Sequence, residues 1–246
     1  MLIGTDDPQR LAEGAPEMPA LDTEALELSG VVFLQALFEI ESGAMCELLP
    51  PALHPTLPPV AGVLAYDVPE SPWGPFRIAQ LRVQCRSGLR PRALLVSAVV
   101  DVPEVGEALA RRFGFRVASG EVRLERAYDE TRIEVAIGGA HALAGSLRGP
   151  MRIGEADTQF VSCMHPARTP RGYRLVQVDT RHAVHRAERA QFEVEAFDGA
   201  AWGEARIRPT LGLPGVVGLA DLTLDAIRFL CRPDVMAFEG SESVGR

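Results

Sequence analysis

Short apolar runs separated by turn residues recur along the whole chain, and only two stretches have helical spacing. Residues 31–40 are β-branched and aromatic, the composition of a strand. Comparable runs lie at residues 60–67, 76–86, 93–102, 122–128, 132–137, 159–164, 173–178, 183–188, 191–197, 205–207 and 216–229. Asp129-Glu130-Thr131 separates two of them as a hairpin turn would. The helical stretches are residues 42–49, capped by Ser42 and ended by Pro50 and Pro51, and residues 103–112, with proline in the first turn and arginines in the last. Many strands at short spacing with few helices predict an α+β protein that is mainly antiparallel β.

Within residues 76–86 the alternation changes phase. Phe76 and Ile78 share one face, while Leu81, Val83 and Cys85 take the other. A bulge near Ala79 and Gln80 reconciles the halves.

The 246 residues suit one folded unit. Residues 1–30 carry seven acids against Arg10 alone, with prolines and glycines among them, and read as a mobile or draped arm. Residues 31–239 form the domain, and residues 240–246 a loose tail. A net charge of -8 argues against a nucleic-acid surface. Residues 77–92 are the local exception, with five arginines and no acid. Their near-regular alternation fits the outer face of a strand, in water or against another subunit.

Cys46, Cys85, Cys163 and Cys231 are far apart and form no C-x-x-C pair, which signals neither zinc nor a disulfide framework. The longest early apolar stretch, residues 31–38, is far too short to span a membrane. A reduced, cytoplasmic protein is expected. No G-x-G-x-x-G, Walker or G-x-S-x-G motif occurs, so no nucleotide cofactor and no motif-borne serine nucleophile is expected.

Residues 100–120 read V-D-V-P-E-V-G-E-A-L-A-R-R-F-G-F-R-V-A-S-G, a strand end, a helix, a tight Gly-Phe turn and a further strand. This order resembles the central segment of the acetoacetate decarboxylase family, where a strand ending in Asp leads through a helix to an aromatic-Pro-Lys-Lys turn. L-P-P-A-L at residues 49–53, P-E-S-P-W-G-P-F at 69–76 and G-L-A-D-L-T-L at 218–224 resemble further family stretches. The resemblance covers residues 31–237. It implies an acetoacetate decarboxylase-like β-barrel or double cone, a small-molecule substrate and a symmetric homo-oligomer.

Laid on the family pattern, Asp101 matches the strand-end Asp, Phe115 the aromatic and Arg116 the Pro. Val117 falls on the Schiff-base lysine and Ala118 on its neighbour. No lysine occurs anywhere in the sequence; all 25 basic residues are arginine. A guanidinium stays protonated and is no nucleophile, so no side chain here can form the imine. The family's Arg falls on Glu39 and its two Glu on Val63 and Ile78. The resemblance thus leaves a largely apolar pocket of Val63, Phe76, Ile78, Gln80, Phe115, Val117 and Ala118, with His141 at its rim.

Two readings follow. In one, the pocket takes a keto-containing, hydrophobic, polyketide-like metabolite and cyclises, isomerises or dehydrates it without a cofactor. Glu39 then serves as base or acceptor and Arg116 pairs with an enolate or carboxylate. In the other, Glu39 and Arg116 are solvated and the chain is a non-catalytic ligand-binding or structural member of the fold. An open cavity favours the first; Phe76, Phe113 and Phe115 filling it favours the second. His182 and His185 have a spacing unsuited to joint metal ligation without a bend, and no metal site is expected.

Overall fold

The computed structural model describes residues 2–245. One sheet is built from β1 (Leu26–Glu39), β2 (His54–Pro55), β3 (Val60–Val68), β4 (Phe76–Ser87), β5 (Arg90–Val100), β6 (Val117–Arg126), β7 (Glu130–Ile137), β8 (Ala140–Ile153), β9 (Cys163–Thr169), β10 (Gly172–Val178), β11 (Thr180–Phe197), β12 (Leu211–Gly212), β13 (Pro214–Leu224), β14 (Phe229–Cys231) and β15 (Ser241–Ser243). The helices are α1 (Pro8–Ala12), α2 (Ser42–Leu48), α3 (Pro103–Phe113) and α4 (Ala237–Gly240).

Nine strands close into a ring, in the order β5, β6, β7, β8, β11, β13, β1, β3, β4 and back to β5. Closure leaves these strands without a free edge. Strands β9, β10, β14 and β15 branch from β5 as a flap. Pairing is antiparallel except for β5 with β6 and β5 with β9. A parallel neighbour needs a crossover, and α3 supplies it between β5 and β6. Pro103 starts that helix, and Gly114, at φ 75°, closes it in the left-handed conformation.

Strand alternation sorts the apolar residues into two cores on the two faces of the wall. The inner one draws on all nine ring strands, including Phe38, Val63, Leu81, Val99, Val122, Val135, Leu143, Phe192 and Val217, so it is the barrel interior. The outer one lies between the wall and α3, β9, β10 and β14, and includes Phe33, Tyr66, Ile78, Leu95, Phe113, Phe115 and Cys163.

Several sequence expectations shift. The wall strand β4 pairs with β3 in unbroken register from Phe76 to Val83. Its irregularity lies opposite, on β5, where Leu81 meets Ser97 and Arg82 meets Leu95. Both faces of β4 are buried, which produced the false change of phase. The same fact corrects the arginine run: Arg86 and Arg90 are exposed, but Arg82 and Arg92 are buried. Residues 183–188 and 191–197 belong to one strand, residues 205–207 are loop, and β9 begins at Cys163, leaving residues 158–162 as loop. Position 41, not Ser42, caps α2.

The N-terminal residues drape over the domain. The amides of Gly4, Thr5 and Asp6 donate to the carbonyls of Leu53, Cys46 and Leu49, and Met18 donates to Arg168. The first ring strand begins at Leu26, and Ser241–Ser243 is paired with β14. Among the described residues no helix is long and apolar enough to cross a membrane.

Candidate active site

Cross-strand partners share a face of the sheet, and this rule assembles a polar cluster in the outer core. Phe33 lies opposite Tyr66. Leu64 lies opposite Gln80, and Gly62 opposite Arg82. The start of β11 brings in His182, whose Nε2 is 2.9 Å from the Tyr66 hydroxyl. Loop residues 158–162 close over the top. There Phe160 lies flat on the imidazole, with ring centroids 3.6 Å apart and planes 4° from parallel. Phe33 meets the Phe160 ring edge-on at 5.0 Å.

Arg82 is the floor of this arrangement and is only 8% exposed. Its Nε donates to the Gln80 side-chain oxygen at 3.0 Å, and a second guanidinium nitrogen donates to the same oxygen. Another donates to the Val161 carbonyl at 3.1 Å. No carboxylate pairs with it among the described residues. Taking a guanidinium out of water is unfavourable unless its donors are matched, and here the neutral oxygens of Gln80 and Val161, with the Tyr66 hydroxyl beside them, do that. A crevice of about 20 Å³ remains beside Arg82, Gln35, Gly62, Gln84 and Val161, room for about one water.

The cluster holds its groups neutral. Burial, then the Arg82 charge, pushes His182 down to about 3. Burial raises the Tyr66 hydroxyl above the usual phenol range, partly offset by Arg82. His165 falls to about 4 through burial, with its bond to Phe113 opposing and Arg82 adding to the fall. Burial also raises the Cys163 thiol. His182 Nδ1 and Thr158 Oγ1 are buried without hydrogen-bond partners among the described residues. Such a set can seat an anionic oxygen on Arg82 and pass a proton between His182 and Tyr66.

Compared with solved structures, the chain matches acetoacetate decarboxylase from Legionella pneumophila with a TM-score of 0.70, over 87% of this chain and 90% of that one, at 16% identity. The fold is that of acetoacetate decarboxylase. The enduracididine biosynthesis enzyme MppR, in complex with pyruvate, aligns at TM-score 0.66 over 86% of this chain and 90% of its own, also at 16% identity. An acetoacetate decarboxylase-like enzyme from Sphingomonas wittichii RW1 aligns at 0.65, over 84% and 92%, at 18% identity. By sequence, no protein-family profile and no curated protein matches.

On this acetoacetate decarboxylase fold the sequence-derived site residues disperse. Gln80 joins the cluster directly. Phe76, Ile78 and Phe115 lie in the same outer core. Val117 pairs with Ala98, which pairs with Gln80, so it shares that face. The apolar cavity expected around it is filled, however. A Cβ on Gly106 of α3 would stand 3.1 Å from methyls of both Val100 and Val117, and Phe113 and Phe115 pack together at 6.1 Å. Val63 points into the barrel interior, and Ala118 pairs with the interior residue Val99, because both sit one strand position out of phase with Val117 and Ile78. Glu39 ends β1, where its carbonyl accepts from Thr210, apart from the cluster. Arg116 and His141 are exposed.

Tyr66 and Phe160 escaped the sequence reading, while Arg82 was read as part of a solvated run and His182 was set aside on its spacing from His185. Arg82 was detectable, since it follows Ile78 and Gln80 at period 2 on a face that is apolar at its start. Beyond His182, β11 slips register between Val184 and Arg186. That slip leaves His185 outside, 2.9 Å from Asp221. Among the described residues no three metal-ligating side chains converge. A groove of about 830 Å³ between Gln191–Phe197 and the loop around Asp198–Gly212 contains none of the cluster.

Proposed function

We propose that the chain is a small-molecule enzyme of this fold that works without a Schiff base or a cofactor, and isomerises, cyclises or dehydrates a keto-containing, hydrophobic substrate. The observation that carries this is the Tyr66–His182 hydrogen bond above a buried guanidinium without a carboxylate partner. The roles first given to Glu39 and Arg116 pass, in this reading, to His182, Tyr66 and Arg82. Neither His182 nor Tyr66 ionises readily at neutral pH, so proton movement through the pair is concerted. An α-proton passes from the substrate carbon to His182 Nδ1 while Nε2 shares its own proton with Tyr66. The C–H bond breaks, the N–H and C=C bonds form, the carbonyl oxygen becomes an enolate oxygen, and the imidazole returns the proton when the ketone is re-formed. Arg82 stabilises the oxygen as its charge grows.

The ligands of relatives support the small-molecule part of the reading: MppR has been seen with pyruvate. The test is α-proton exchange, followed by NMR in deuterated buffer over a panel of hydrophobic ketones and 1,3-diketones. Exchange should fall by roughly 100-fold in His182→Asn and in Tyr66→Phe. Unchanged exchange in both variants would remove these residues from the chemistry. The filled space around Val117 favours a second reading, a non-catalytic ligand-binding member, and exchange no faster than in buffer for every ketone would select it.

A further inference from the structure

The loop that covers the cluster also imitates a ligand. Phe160 places a six-membered ring among aromatic groups: His182 lies flat against one face at 3.6 Å and Phe33 is edge-on at 5.0 Å, while Tyr66 meets the edge of the imidazole through its hydroxyl. The next residue, Val161, presents its carbonyl oxygen to Arg82 at 3.1 Å. A single dipeptide thus supplies a flat ring and, a few bonds away, an oxygen for a guanidinium that has no counter-ion. A neutral carbonyl is a weaker partner for a buried cation than a carboxylate, which can take two parallel N–H bonds. The segment is held besides by the 3.4 Å contact from Gln35 to the Gln159 carbonyl and, at Ser162, by bonds from the amides of Ala93 and Thr180. Next to it the unpartnered Thr158 Oγ1 and His182 Nδ1 leave a hydroxyl and a ring nitrogen for a ligand to meet.

We infer that residues Phe160 and Val161 are the internal placeholder for an aromatic carboxylate, a ligand whose ring replaces Phe160 on His182 and whose anionic oxygen replaces the Val161 carbonyl on Arg82. This deepens the functional reading above by naming the class of molecule its site takes. A carboxylate on Arg82 would also offset the positive charge that helps to hold His182 neutral.

The test is isothermal titration calorimetry on the full chain, with phenylacetate, acetate and benzyl alcohol as probes, in the parent, Phe160→Ala and Arg82→Met proteins. Phenylacetate should bind more tightly than either fragment. Phe160→Ala should tighten phenylacetate by roughly two- to tenfold, the worth of one competing aromatic pair. Arg82→Met should weaken it at least about thirtyfold and abolish the preference for phenylacetate over benzyl alcohol. Phenylacetate binding no more tightly than acetate in both the parent and Phe160→Ala would overturn the inference. So would weaker binding in Phe160→Ala, which would make Phe160 a wall of the site rather than its placeholder. The readout is independent of turnover: tight phenylacetate binding with α-proton exchange unaffected in His182→Asn would retain the ligand and discard the proposed chemistry.

Discussion

The outer core contains a buried histidine whose protonation should unfold the protein from within, and His165→Gln isolates it. His165 is fully buried, its Nε2 2.7 Å from the Phe113 carbonyl and its ring edge-on to Phe115 at 5.0 Å. Its other nitrogen has no partner among the described residues. Burial, opposed by the bond to the Phe113 carbonyl and aided by the Arg82 guanidinium, takes it from 6.5 down to about 4. Between these values the unfolded chain binds a proton that the folded chain refuses. Stability therefore falls as pH drops from about 6.5 towards about 4, and this histidine contributes no slope above or below that window. At pH 4.5 the loss relative to pH 7 is about 2 kcal/mol. Glutamine keeps a donor for the Phe113 carbonyl and cannot be protonated. Urea unfolding at the two pH values should show the parent losing about 2 kcal/mol more than His165→Gln, whatever offset the substitution brings at pH 7. Carboxylates held low by arginines, such as Glu188 and Glu204, tilt both proteins alike and cancel. Parallel losses in the two proteins would refute the reasoning and put the imidazole in contact with water.

Two further outcomes concern the wall itself. In Gly218→Ala the new Cβ would stand 2.2 Å from the Arg186 carbonyl oxygen and 2.7 Å from Phe33, so a loss of about 2 kcal/mol is expected; an unchanged urea midpoint would mean that β13 and β11 part easily there. Arg82→Met exchanges a desolvated cation for an apolar chain but leaves the Gln80 and Val161 oxygens without their donor. These effects oppose each other, and stability should stay within about 1 kcal/mol of the parent; a loss above about 3 kcal/mol in the same urea assay would make Arg82 a structural residue.

The α3 helix and the mainly antiparallel class were legible because each is a local pattern: β-branched runs, a proline at a helix start, a glycine at its end; the strand count was not, since β8 was missed and β11 was read as two strands. Positions buried on both faces were not legible in the same way. In β4 the alternation Phe76, Ile78, Gln80, Arg82 runs without a break, but the opposite face is equally apolar, so the strand reads as two halves out of phase. An arginine on such a strand looks solvated unless the covering layer is known. That layer comes from β9, β10 and residues 158–162, distant in sequence and invisible to local spacing. The resemblance carried by residues 100–120 led to the right fold, and then to a cavity at Val117 where α3 packs instead. Val63 and Ala118 show how strict the period of two is, since a single step turned each into the barrel.

The loss of every imine-forming residue and the persistence of the fold are reconciled by where the remaining buried polarity lies. A barrel kept only as scaffold gains nothing from an arginine that no carboxylate partners in its outer core, because an apolar side chain of similar length fills the same volume without desolvating a charge. Here that guanidinium is joined by a neutral tyrosine and a neutral histidine with one unpartnered ring nitrogen, beneath one short loop that itself contains the unpartnered Thr158 hydroxyl. Groups of this kind are expensive singly and are expected together where charge develops on something that enters. In the proposed reading the polar chemistry lies on the face of β3 and β4 that Phe160 covers, while α3 packs against Val117; proton transfer there needs no side-chain amine, in keeping with a sequence that contains twenty-five arginines and no lysine.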